Sequence, residues 1–383
     1  MAGLSQRMGA MNRGSRPRIA IVDGHKKEDF FAPLRAVWDA DWLSCVPAML
    51  LAGETDGAEL ILVNDESWPD VAAALPALEQ QGIPSLHLPD GIVEWRNQWE
   101  RPDRGPQFHP VLSTRIACLG HAQQRLMARW GNGSRCLVTG SPRFDQYLGM
   151  PRRTPPGEGG PFHLLVATAR TPAFSDSQFA ALLDLLQVVR DWARSQANVA
   201  VTWRLTGGLD AVLGVANRDA PLHEELKQCD AVWTSPSTLQ LEAMLAGLPV
   251  ALLDPFARPL YVPAAWYVRH QKDCGEVCAS MRRGDAARWA YQEETLADQV
   301  DLEGPAAPKV ARAGQALLDA ARAGSGFHAP RSEPWRQHPE TASAELNRLR
   351  AENQALRRVA NRTTGQTLYR LLTELERRVS KRN

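Results

Sequence analysis

No apolar run in the chain approaches the ~18 residues that a membrane-crossing helix needs, so any bilayer contact must be peripheral. An excess of one charge is missing too. Lys+Arg number 44 against 43 Asp+Glu, a net charge of +1, which argues against a chain built to coat nucleic acid. Cysteine is sparse, six in 383 residues. Cys274 and Cys278 form a C-x-x-x-C with no second pair and no nearby H-x-x-x-H, so a zinc site is not expected. Unpaired cysteines in apolar runs fit a reducing cytoplasm. The basic stretch 1–16 lacks the apolar centre of a signal peptide and reads as a disordered arm. There is no G-x-x-x-x-G-K-[ST] and no strand-linked G-x-G-x-x-G, which argues against kinase and dehydrogenase chemistry. A G-x-S-x-G elbow is absent as well.

What is present is an alternation of short apolar runs with helix-like periodicity. RIAIV at 18–22, AELILVN at 58–64, IPSLHL at 83–88, RIACLG at 115–120 and RCLVTG at 135–140 read as strands with helical segments between them. A helix is expected through Leu34, Val37, Trp38 and Trp42. Asp39-Ala40-Asp41 falls inside it, so this D-x-D is not read as a metal site. Pro and Gly cluster over 146–161, a linker, and the alternation resumes with FHLLVAT, NVAVTWR, CDAVWT and PVALLD. Strands alternating with helices imply parallel sheets. The expected architecture is α/β, with a Rossmann-like domain over 17–145, a hinge over 146–161, a second Rossmann-like domain over 162–330, and a helical tail over 341–383. Ligands of such sheets bind beyond the strand C-termini, which places a cleft between the domains. The twelve tryptophans fall mostly in periodic segments and read as packing.

The richest segment for chemistry is DAVWTSPSTLQLEAMLAGLPVALLD, 230–254. A strand delivers Ser235-Pro236-Ser237-Thr238 to the start of an amphipathic helix. Ser and Thr suit its cap, and the free amides of its first turn suit a diphosphate. Glu242, on the same helix, could accept hydrogen bonds from ribose hydroxyls. The alternative is a capped helix with a solvated glutamate.

This segment resembles the donor-binding segment of GT-B enzymes such as lipid-A disaccharide synthase and the non-hydrolysing UDP-N-acetylglucosamine 2-epimerases. The resemblance implies phosphate contacts from Ser237 and Thr238, with Ser235 beside them, and a ribose contact from Glu242. Thr139-Gly140-Ser141-Pro142-Arg143-Phe144-Asp145 resembles the T-G-[NS]-P-x-x-D element that closes the first domain of the same enzymes. Gly140 would let the backbone approach a ligand. An interdomain turn with Arg143 paired to Asp145 is the alternative.

Further candidates sit at strand ends. Asp90, in His87-Leu88-Pro89-Asp90-Gly91, is the expected base for an acceptor hydroxyl, with Glu94 in reserve. Gly91 would permit an unusual backbone, and Arg96 would meet a substrate acid or form a surface ion pair. His25, in the loop after the first strand, is a candidate base or phosphate donor. Arg204 is the expected diphosphate clamp, ahead of Arg170.

In the tail, Leu346, Leu349, Asn353, Leu356 and Ala360 step by three and four, and basic residues outnumber acidic ones. Self-association through a coiled coil and docking on an anionic membrane both fit. The combined expectation is a metal-independent, cytoplasmic glycosyltransferase, free or at the inner face of a membrane. It would need no cofactor, use a sugar nucleotide as substrate, and act on a glycan or lipid-linked glycan acceptor of surface polysaccharide or lipopolysaccharide synthesis. An epimerase or glycerophosphate transferase on the same scaffold is the nearest rival. A non-catalytic nucleotide-binding protein that oligomerises is the rival from another class.

Overall fold

A computed structural model describes residues 16–22, 28–101, 106–154, 156–157 and 160–324. The first lobe is a six-stranded sheet with β1 (Arg18–Val22), β2 (Asp41–Cys45), β3 (Leu60–Val63), β4 (Ser85–His87), β5 (Arg115–Cys118) and β6 (Cys136–Val138). Its order is β2-β1-β3-β4-β5-β6, and every pairing is parallel. Helices α1 (Glu28–Arg35), α2 (Pro47–Leu51), α3 (Pro69–Gln80), α4 (Trp95–Trp99) and α5 (His121–Arg129) connect the strands. β1 and β3 have apolar side chains facing both ways, as expected of a parallel sheet covered on both faces.

The second lobe carries β7 (Phe162–Ala167), β8 (Val199–Arg204), β9 (Ala231–Thr234), β10 (Val250–Leu253) and β11 (Trp266–Val268), in the order β11-β10-β9-β7-β8, again all parallel. Its longest helix, α6 (Asp176–Arg194), starts at Ser175, whose hydroxyl accepts from the Gln178 amide. Leu182, Leu185, Leu186, Val189 and Ala193 recur at helical spacing along its buried face. Helices α7 (Leu209–Leu213), α8 (Leu222–Gln228), α9 (Leu239–Leu245), α10 (Gln271–Arg283) and α11 (Ala286–Gln299) complete the lobe. Trp233, Trp266 and Trp289 are fully buried in its core, so these three tryptophans do serve packing.

Two expectations are corrected here. Helix α1 stops at Arg35, and Asp41 opens the strand β2. Trp38 and Trp42 meet edge to face across the intervening turn, centroids 6.0 Å apart, rather than along a helix. Asp39 of the D-x-D pairs with Arg16 at 2.9 Å.

The second correction concerns the domain limits. After α11 the chain crosses back, and α12 (Ala306–Arg322) packs its Val310, Leu317 and Leu318 with Ile19, Leu60 and Leu62 of the first lobe. Gly314 is needed there, because a Cβ would lie 2.2 Å from the Trp38 ring. The second domain therefore ends near residue 300, not 330. The reason is the apolar stripe of α12, which the first sheet leaves room to bury.

Within the Pro/Gly stretch of 146–161, two arginines hold to the second lobe. Arg153 donates to the carbonyls of Lys227 and Cys229, and Arg152 stacks on Trp289 at 4.0 Å. The arm 1–15 and the tail 341–383 lie outside the described residues.

Candidate functional site

The loops leaving the carboxyl ends of β3, β4, β7 and β9 converge on one cavity of about 1710 Å³ between the lobes. From the first lobe it is lined by Asn64, Glu66, His87, Asp90, Glu94 and Arg143, among others. From the second come Thr168 to Thr171 and Pro236 to Leu239, with Glu242 behind them.

On the second-lobe wall, helix α9 starts at Leu239, one residue later than a Ser237 cap would place it. No side chain caps it. Ser237 and Thr238 lie in the turn that precedes it, and the amides of Ser237, Thr238 and Leu239 donate to no protein group among the described residues. Their hydroxyls are already engaged. Ser237 Oγ is 3.2 Å from Thr234 Oγ1, and Thr238 Oγ1 accepts from the Ile92 amide of the opposite lobe at 3.2 Å. Ser235 is fully buried, and its Oγ accepts from the Ala169 amide at 2.8 Å. It ties the loop after β9 to the loop after β7, so that wall offers a ligand backbone amides rather than hydroxyls.

The lobes are bolted together around the cavity. Arg143 Nη2 donates to Glu242 Oε1 at 2.9 Å, and its Nη1 donates to the Asp90 carbonyl. Arg143 does not pair with Asp145. Asp145 instead accepts from the amides of Ala306 and Ala307, at 2.7 and 3.0 Å, and so holds the open N-terminus of α12. Gly140 has a φ of 74°, and what approaches it is Ala306 rather than a ligand. Gly91 has no left-handed backbone; its missing side chain leaves room for Thr238, whose Oγ1 would lie 1.9 Å from a Cβ. Arg96 is 1% exposed, donates to the Pro172 carbonyl at 3.0 Å, and sits 4.0 Å over the Phe256 ring. It is an interlobe bolt, neither a substrate contact nor a surface ion pair.

Arg204 does not line the cavity. Its Nη1 donates to the Ala220 carbonyl at 2.7 Å and to Glu225 at 3.1 Å, where it offsets a buried carboxylate. The arginine that the second lobe does bring to the cavity is Arg170, exposed in the loop after β7. Glu94 lines the cavity, but it is the N-cap of α4. It accepts from the amides of Arg96 and Asn97 and pairs with the Arg96 side chain at 2.8 Å. Asp90 is exposed at the cavity edge. His25 falls outside the described residues.

Sequence reasoning passed over Glu66 and His87. Glu66 is 4% exposed and accepts from the Leu112 amide at 2.9 Å and from the Ser113 amide and hydroxyl at 3.1 and 2.7 Å. His87 Nδ1 lies 3.1 Å from its Oε2. Burial pushes the Glu66 carboxyl up, but the His87 ring and the Leu112 and Ser113 donors outweigh it and hold it below the ordinary carboxylate range. The available signal was position: both residues end or follow strands at the cleft edge of a parallel sheet.

Two Rossmann-like lobes, a cavity at the strand ends of both, and helix α12 returning to the first lobe define the GT-B fold. No protein-family model matches the sequence, and no curated protein does either. Solved structures do match. One is a Listeria monocytogenes protein described as a UDP-N-acetylglucosamine 2-epimerase, with a TM-score of 0.55 and 15% identity, over 82% of this chain and 98% of that one. A second is the Neisseria meningitidis UDP-GlcNAc 2-epimerase bound to UDP-GlcNAc, with a TM-score of 0.51 and 12% identity, over 78% and 99%. A variant of the wall teichoic acid polymerase TagF gives 0.50 and 8%, over 79% and 89%. At these identities the likeness is one of fold. Among the described residues no helix is long and apolar enough to cross a membrane, and no group of three or more His, Cys, Asp or Glu could hold a metal ion.

Proposed function

We propose that the chain is a glycosyltransferase that binds a sugar nucleotide in the interlobe cavity and transfers the sugar to a glycan or lipid-linked glycan acceptor. The observation that carries this reading is the turn at Ser237–Leu239. The residues of this turn line the cavity, their three amides have no partner among the described residues, and the buried carboxylate of Glu242 lies beside them. Backbone amides with no partner are suited to phosphate oxygens. Glu242 accepts the ribose hydroxyls, and Arg143, already against Glu242, is within reach of the phosphates. Arg170 takes the clamp role first read onto Arg204. With these cations and amides the departing phosphate is stabilised without a metal, so added EDTA leaves turnover unchanged.

The epimerase reading has support of its own, since one neighbour of this fold is an epimerase that holds UDP-GlcNAc. Incubation with sugar nucleotide alone separates the two. An epimerase interconverts the sugar without acceptor, whereas a transferase leaves its stereochemistry intact. Thermal-shift screening against UDP-, GDP-, CDP- and CMP-sugars tests the shared premise. If no nucleotide raises the Tm, both readings fall. Location in the cytoplasm, with the tail 341–383 pairing chains or lying on anionic lipid, completes the proposal. Light scattering of full-length and truncated protein, with and without anionic vesicles, tests that part.

A further inference from the structure

The first-lobe wall of the cavity holds a buried carboxylate–imidazole pair that the donor-binding reading does not use. His87 is 2% exposed, ends β4 and lines the cavity. Its Nδ1 lies 3.1 Å from Glu66 Oε2, within ion-pair distance but outside hydrogen-bond geometry. Its Nε2 has no protein partner among the described residues. Glu66 cannot swing away, because three donors from Leu112 and Ser113 hold it, and the Phe108 ring packs against the imidazole with centroids 5.3 Å apart.

An ionised carboxylate can only accept hydrogen bonds. A neutral His87 therefore carries its proton on Nδ1, facing Glu66, and leaves the Nε2 lone pair for a ligand. A second group in the cavity is unsatisfied as well. Asn64 is 8% exposed, at the end of the neighbouring strand, and its Nδ2 has no partner among the described residues. Buried polar groups without partners are costly unless a ligand satisfies them. Hydroxyls, which both donate and accept, match what His87 and Asn64 leave open.

We infer that His87 is the catalytic base of the transfer, with Glu66 as its positioning residue, and that Asn64 contacts a hydroxyl of the bound sugar or acceptor. This rests on the sugar-nucleotide reading. As the acceptor oxygen bonds to the anomeric carbon, its proton passes to Nε2. The bond from the anomeric carbon to the phosphate oxygen breaks, and its electron pair leaves on the nucleotide. Glu66 stabilises the imidazolium until Nε2 returns the proton to water. Asp90, exposed at the edge, is then not the base.

The test uses the full chain and the member of the UDP-, GDP-, CDP- and CMP-sugar panel that raises its Tm most, with release of the nucleotide product as readout. His87→Asn keeps a polar atom where Nδ1 meets Glu66 but has nothing at Nε2. It should still give the Tm rise while kcat falls about 10²–10⁴-fold. Asp90→Asn should retain kcat within a few-fold. Imidazole ¹⁵N spectra should show the neutral His87 protonated on Nδ1, and Glu66→Gln should lower kcat more than it changes KM while eroding that tautomer. Unchanged kcat in His87→Asn, or a neutral His87 protonated on Nε2, overturns the assignment and leaves nucleotide binding standing. Failure of every nucleotide to shift the wild-type Tm removes the sugar-nucleotide reading, and the base assignment with it.

Discussion

Arg143 and Glu242 meet across the boundary between the lobes, Nη2 to Oε1 at 2.9 Å, with the carboxylate 4% exposed. The buried carboxylate of the second lobe is thus neutralised by a cation of the first. Removing the arginine leaves a buried carboxylate without its countercharge. Arg143→Ala should cost about 1–3 kcal/mol in stability, read by urea denaturation. Glu242→Gln, which keeps the shape, should cost less. A double-mutant cycle should show the two effects to be non-additive.

Gly91 works by absence. A methyl group there would lie 1.9 Å from Thr238 Oγ1 and displace the hydroxyl that accepts from Ile92. Gly91→Ala should destabilise the protein by about 1–3 kcal/mol and enlarge its radius of gyration in small-angle scattering. Thr238→Ala in the same chain should recover part of both. An unchanged radius with full stability would mean that the lobes are not in contact here in solution.

Asp145 holds the helix that belongs to the other end of the chain. Its two oxygens take the amides of Ala306 and Ala307, and Pro305, at the N-cap, has no side-chain oxygen to do so. Asp145→Ala should lower stability by about 1–2 kcal/mol and speed hydrogen exchange along α12. Exchange confined to the second lobe would contradict the assignment of α12 to the first.

The Glu66 carboxyl is held below its ordinary value of 4.5, because His87 and three donors outweigh burial. A depressed carboxyl stabilises the folded state above the unfolded value and loses that contribution as pH falls through the folded one. Wild type should therefore be more stable than Glu66→Gln at neutral pH, and the gap should close under acid. Thermal unfolding over pH 7 to about 3 reads this. A gap that widens in acid would mean Glu66 is protonated in the folded state.

The strand runs were legible because buried parallel strands are nearly all apolar; β1, β3, β9 and β10 fall within the runs read from sequence. The stretch around Trp38 and Trp42 misled because two tryptophans four apart mimic a helix face while packing across a turn. Helix α12 falls in the stretch read into the second domain, because an apolar stripe does not say which sheet it covers. Pro236, Ser237, Thr238 and Glu242 line the cavity wall, while Ser235 is buried behind it. Which hydroxyls were already engaged depended on Ile92 and Ala169, many residues away. Arg204 looked like a clamp because nothing local announced Glu225 as its partner. His87 and Glu66 are twenty-one positions apart and become a pair only when β3 and β4 lie side by side.

Titration calorimetry of the full chain with UDP-, GDP-, CDP- and CMP-sugars in turn, repeated on Glu242→Gln, decides whether the cavity holds a sugar nucleotide. Saturable, one-site binding of at least one of them is expected, weakened about 10–100-fold by the substitution. Binding that the substitution leaves untouched, or no binding by any of the four, would contradict that expectation.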